Sequence, residues 1–153
     1  MAQQILGNLY LFSRLADEDL AKVEAIARDQ HFAAGQRIFS QGDDANAFYV
    51  IKNGSIQIRH TGKNDNADTI VRTLGSGSHF GEMAFIESEK RSAGVTALED
   101  SDLVVVEYSQ LNKLLEAEPL IAVEVYRSLA CYLSGRVRQT TTDLGFARDI
   151  GSR

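Results

Sequence analysis

The chain has 153 residues, 44% apolar and 24% charged, a balance that suits one globular domain with a buried core. A net charge of −5 and a pI near 5.2 argue against binding nucleic acid through overall charge. The lone cysteine, Cys131, excludes an intramolecular disulfide. The N-terminus has no basic start and no apolar run long enough for a signal peptide or membrane span, so a cytoplasmic location is expected.

In chain order, Leu20, Val23, Ile26 and Ala27 share one helical face. Ala16 stands at the N-cap, a weak choice. Asp17, Glu18 and Asp19 suit the first turn, and Leu15 and Leu20 have the spacing of a hydrophobic staple. From about Gln30 to Glu107 short β-type runs alternate with turns: Gln36–Phe39, Phe48–Lys52, Ser55–Arg59, Thr69–Leu74, Ser92–Ala97 and Leu103–Glu107. Asn53-Gly54 predicts a tight hairpin, and the polar segment Gly62–Asp68 a hairpin loop. Such spacing fits a sandwich, jelly roll or barrel. Ser109 is placed to cap a helix through Leu115, and Pro119 to open another. That last helix carries a stripe of Tyr126, Leu129, Ala130, Leu133, Val137 and Leu144.

The stretch Phe80–Val95, FGEMAFIESEKRSAGV, is the candidate site. Gly81-Glu82 precedes a short helix-compatible run whose first N–H groups suit an anion. Arg91 offers a planar fork of donors for phosphate oxygens. Glu82 would repel a phosphate unless its oxygens accept from a neighbouring hydroxyl, such as a ribose 2′-OH.

This stretch resembles the phosphate-binding cassette of the cyclic nucleotide-binding domain family, and the glycine and hydrophobe spacing through AAGQRIFSQGDDANAFYVIKNGSIQI is similar to the family as well. The resemblance implies one domain over 1–153, mainly β with flanking helices. A helical lead-in (about 8–30) would precede a β-roll of jelly-roll, double-stranded β-helix type (about 31–107), with C-terminal helices (about 109–144) after it. It implies that Glu82 holds the ribose, that Arg91 and Ser92 hold the cyclic phosphate, and that Gly81 and the N–H groups of Met83 and Ala84 complete the site. Tyr132, Arg136, Val137 and Arg138 become candidate contacts to the base. Ser92 points to cyclic AMP before cyclic GMP. A regulatory, non-catalytic role follows, in which the last helix moves on a protein effector and its long stripe supports a homodimer.

Other chemistries have little in the sequence to carry them. His31, His60 and His79 are scattered, with no His-x-His pair, so no metal site is expected. No nucleophile elbow or similar catalytic context occurs, and Cys131 reads as a packed small hydrophobe. No helix-turn-helix, kinase or channel sequence follows the last helix, so direct DNA binding is not expected. The alternatives are a nucleotide-independent interaction module of the same fold, or the sensing part of a larger regulator or channel.

Overall fold

A computed structural model of the protein describes residues 2–61, 70–87 and 89–151. Two four-stranded antiparallel sheets face each other. One has the order β1 (Arg28–Phe32), β8 (Ser101–Glu107), β3 (Ala47–Asn53) and β6 (His79–Phe80). The other has the order β2 (Arg37–Phe39), β7 (Gly94–Ala97), β4 (Ser55–His60) and β5 (Ile70–Gly75). Helices α1 (Ala2–Gly7) and α2 (Asp17–Ile26) lead in, with a 3-10 turn at Tyr10–Phe12 between them. Helix α3 (Met83–Glu87) interrupts the roll, and α4 (Tyr108–Ala117) and α5 (Pro119–Gly151) follow it.

The strands β3 and β8 explain the layering. Their near-continuous apolar runs serve two cores at once, because alternate side chains leave opposite faces of a strand. Ala47, Tyr49, Ile51, Leu103 and Val105 point between the sheets, where they meet Phe32, Ile56, Phe80 and Val95. Phe48, Val50, Val104 and Val106 point outward and are covered by Leu6, Phe12, Val23, Leu111, Ile121, Val125 and Leu129 from the helices. The helices are thereby fastened to the sheet that carries β6, the strand from which the candidate site departs.

Several expectations are corrected in detail. Asn53-Gly54 makes a tight turn, but β3 and β4 belong to different sheets and do not pair. Gly54, at φ +102°, is a corner between sheets, and a Cβ there would stand 2.2 Å from Ser101 Oγ. The helical lead-in ends at Ile26 rather than near residue 30, and Arg28–Phe32 is an edge strand on β8. Its largely exposed side chains carry no alternating signal. Helix α4 starts at Tyr108 with Glu107 as its cap, so Ser109 lies inside the first turn. Ala16 does cap α2 without a side-chain bond, and Leu15 and Leu20 both pack on the helical core. The loop expected at Gly62–Asp68 lies outside the described residues, while β4 and β5 on either side of it pair from Ser55↔Gly75 to His60↔Ile70.

The stripe on α5 divides between two faces. Leu129 is buried with Ile121 and Val125, and Leu133 is half-buried. Tyr126, Ala130, Val137 and Leu144 are exposed, so the core-facing row is Ile121–Val125–Leu129, offset from the expected one. Pro119 is the first residue of α5, where its missing N–H costs nothing. No helix among the described residues is long and apolar enough to cross a membrane.

Candidate functional site

Strand β6 pairs with β3 through Tyr49↔Phe80 and Val50↔His79, then breaks at Gly81. Gly81 adopts φ +89°, which disfavours any side chain. An added Cβ would also lie 2.7 Å from Arg91 Nη1. The glycine thus makes room for the arginine. The chain continues through Glu82 into α3, whose first N–H groups, including those of Met83 and Ala84, have no intrahelical acceptor.

Arg91 is anchored from both ends. Its N–H donates to Asp43 O at 2.8 Å, and its carbonyl accepts from Gly42 N–H at 2.8 Å. Its guanidinium lies 4.0 Å over the Phe39 ring, donates through Nη2 to Ala47 O, and reaches Tyr108 OH through Nη1 at 3.5 Å. Tyr108 OH in turn donates to Gly81 O, which ties the arginine to the bend. Burial raises the Tyr108 pKa to about 12 against the pull of Arg91, so its hydroxyl keeps its proton. Arg91 is only 5% exposed, its Nε has no partner, and no carboxylate among the described residues pairs with it. A buried cation without a counter-charge is costly to desolvate.

Glu82 is 8% exposed. Its Oε1 lies 3.3 Å from His79 Nε2 and 3.5 Å from Tyr10 OH. Desolvation pushes its pKa up, but the hydrogen bond and charge of His79, a backbone N–H and Tyr10 together hold it below the ordinary carboxylate value. It therefore stays an anionic acceptor at neutral pH. Glu82 and Arg91 are not a surface ion pair: both are buried and each has other partners.

Between them opens a cavity of about 800 Å³, within the range of small-molecule sites. Gly81, Glu82, Met83, Ala84, Arg91 and Ser92 all line it, as do Tyr132 and Arg136 from α5. Val137 and Arg138 do not; Val137 is 64% exposed, because one step along the helix from Arg136 turns it away. Tyr132 stacks on Tyr10, centroids 3.9 Å apart and planes 12° from parallel, and its OH accepts from Arg136 Nη1 at 3.1 Å.

Sequence reasoning missed Tyr10, His79 and Tyr108 as site residues. His79 alone had a local signal, three residues before Glu82. Tyr10 and Tyr108 arrive from elements distant in sequence. The histidines are dispersed: His31 contacts Asp102, His60 contacts Ser92 O, and His79 contacts Glu82. Among the described residues no group of three His, Cys, Asp or Glu side chains could hold a metal ion.

A β-roll with an arginine–glutamate cavity beneath a C-terminal helix defines a ligand-receiving regulatory fold. Residues 29–118 match the cyclic nucleotide-binding domain family, and the chain belongs to it. The chain is 30% identical over 134 residues to the cyclic AMP receptor protein of Thermus thermophilus, covering 88% of this chain and 60% of that protein. It is 28% identical over 113 residues to the cAMP-dependent protein kinase regulatory subunit of Blastocladiella emersonii, covering 74% of this chain and 28% of the relative. The crystal structure of the N-terminal domain of a transcriptional regulator from Streptomyces coelicolor A3(2) superposes with a TM-score of 0.77 at 25% identity, covering 92% of this chain and 94% of that one. The chain thus spans less than two thirds of the two curated relatives' lengths.

Proposed function

We propose that residues 1–153 act as a single, non-catalytic regulatory domain that binds a purine 3′,5′-cyclic monophosphate, cyclic AMP in the first place. The observation that carries this reading is the buried guanidinium of Arg91, without a carboxylate partner among the described residues, lining the same cavity as an ionised Glu82. A cyclic nucleotide answers both. Its phosphate brings the missing negative charge to Arg91, with the N–H groups of Met83 and Ala84 as further donors. The ribose 2′-hydroxyl beside that phosphate donates to Glu82.

Ser92, exposed at the cavity wall, is assigned to the phosphate side, and its presence rather than threonine favours cyclic AMP. Tyr132 and Arg136 are assigned to the base; Val137 is withdrawn from that role by its position. The cyclic AMP receptor protein and the cAMP-dependent kinase subunit among the relatives support the ligand class.

Regulation follows by linkage. Tyr132 and Arg136 place α5 on the cavity, so a ligand that prefers one position of α5 shifts its population. The shift cannot exceed the ligand's differential affinity for the two states. The exposed row of Tyr126, Val137 and Leu144 is assigned to a second copy of the chain or to a protein effector, and the lone Cys131 fits a reducing, cytoplasmic setting. Calorimetric titration with cyclic AMP, cyclic GMP and 5′-AMP tests the reading. Saturable heat with the cyclic ligands and much less with 5′-AMP is expected. Absence of heat and of thermal stabilisation with both cyclic nucleotides would contradict it and leave the nucleotide-independent module.

A further inference from the structure

The proposed ribose acceptor carries more support than an acceptor alone requires. His79, on β6, places Nε2 3.3 Å from Glu82 Oε1. Tyr10, on the 3-10 turn far away in sequence, places its hydroxyl 3.5 Å from the same oxygen. Among the described residues no side chain donates to Oε2. The two donors approach from different elements, and each is fixed by packing. The Tyr10 ring is clamped between Tyr132 at 3.9 Å and His79 at 5.5 Å. His79 is held by the pairing of β6 with Val50 on β3.

This arrangement does what a carboxylate next to a phosphate needs. Arg91 is not bonded to Glu82, so it does not offset the charge directly. His79 Nε2 and Tyr10 OH both approach one carboxylate oxygen, Oε1, and among the described residues no side chain takes up Oε2. A Phe at 79 would fill the same space against Tyr10 but could not donate. The titratable side chains against His79 are Glu82, just before α3, and Tyr10, on the 3-10 turn; Tyr132 and Arg136 on α5 line the same cavity as His79. Glu82 is the only one of them with an oxygen in polar contact with the His79 ring among the described contacts.

We propose that His79 is a positioning residue for ribose recognition: its Nε2–H, together with the Tyr10 hydroxyl, ties Oε1 of Glu82 and turns Oε2 toward the 2′-hydroxyl of a cyclic ribonucleotide. The inference rests on the reading of Glu82 given above. It makes discrimination between ribose and deoxyribose a property of three elements and not of the cassette alone.

Calorimetry with cyclic AMP and 2′-deoxy cyclic AMP tests it on the native chain, His79→Phe, His79→Gln and Tyr10→Phe, each first checked for a native melting transition. In His79→Phe the preference for the ribose ligand should shrink roughly fivefold, the equivalent of one hydrogen bond, mostly through weaker cyclic AMP binding. His79→Gln, which restores a donor without the ring, should recover most of that preference. Tyr10→Phe, which keeps the stack on Tyr132, should shrink it as well. The carbon-13 signal of the Glu82 carboxyl, titrated without ligand, should have a higher midpoint in His79→Phe than in the native chain or His79→Gln. Unchanged preference in His79→Phe, or failure of His79→Gln to recover it, overturns the inference while leaving nucleotide binding intact. Failure of the native chain to bind either ligand overturns the proposed function and this inference with it.

Discussion

Replacing Gly81 by alanine separates the two demands that meet at the bend. The first is backbone strain: at φ +89° a side chain costs about 1–2 kcal/mol relative to glycine. The second is contact, since the new Cβ would stand 2.7 Å from Arg91 Nη1, when ordinary contact begins at 3.4 Å. The guanidinium must then retreat by about 0.7 Å, away from a seat fixed by Ala47 O, Phe39 and Tyr108. Gly81→Ala should therefore lose the about 1–2 kcal/mol of strain and a further increment from the contact in urea denaturation, a fall of at least roughly 2–8 °C in Tm. Its affinity for cyclic AMP should fall by about tenfold, roughly one charge-assisted hydrogen bond spoiled. Arg91→Ala in the same background removes the contact and leaves only the backbone strain, so the two substitutions should be clearly non-additive for stability. A Gly81→Ala protein as stable and as tight-binding as the native chain would refute this description of the bend.

Other outcomes follow from the same geometry. Glu82→Ala should weaken cyclic AMP binding and reduce its preference over 2′-deoxy cyclic AMP, read by the same titrations. The Glu82 carboxyl is held below its ordinary value in the folded chain, so its contribution to stability is complete above the unfolded carboxylate range and is lost as pH falls through the folded value. Denaturation between about pH 6 and 3 should show the native chain losing that increment and Glu82→Gln lacking the corresponding slope. Leu129→Ala empties a site only 6% exposed between α5 and the sheet and should cost roughly 2–4 kcal/mol in chemical denaturation. Val137→Glu, at a position 64% exposed, should change stability by less than about 0.5 kcal/mol while shifting sedimentation toward the monomer if the exposed row joins two copies.

Much of the site was readable because its parts lie close together in sequence. Gly81, Glu82 and Arg91 fall within one short segment, and each has a residue type with few alternatives in its role. The bend demands glycine, the buried planar fork demands arginine, and the structure adds that the first exists partly to accommodate the second. Strands with a strong apolar run, such as β3 and β8, were equally legible. Pairing was not. Asn53-Gly54 correctly marks a turn, but whether the next strand pairs back or crosses to the facing sheet is decided by distant partners, here Ser101 packed against Gly54. Strand β1 was hidden because its exposed residues bear no periodicity, and it exists by pairing with β8 across about 70 residues of chain. The stripe on α5 misled by one helical face, since two apolar rows, one buried and one exposed, run side by side. Tyr10 and Tyr108 acquire their meaning only when the fold brings them to Glu82 and Arg91, while His79, three residues before Glu82, lacked only the pairing that aims it.

Everything proposed for the site depends on the buried guanidinium of Arg91 being the seat of an anionic nucleotide phosphate. Calorimetric titration of the native chain and Arg91→Ala with cyclic AMP tests it most directly. Saturable binding by the native chain is expected, with a loss of roughly 2–4 kcal/mol, about 30- to 1,000-fold in Kd, in the variant. Equal affinity in the two proteins would contradict it.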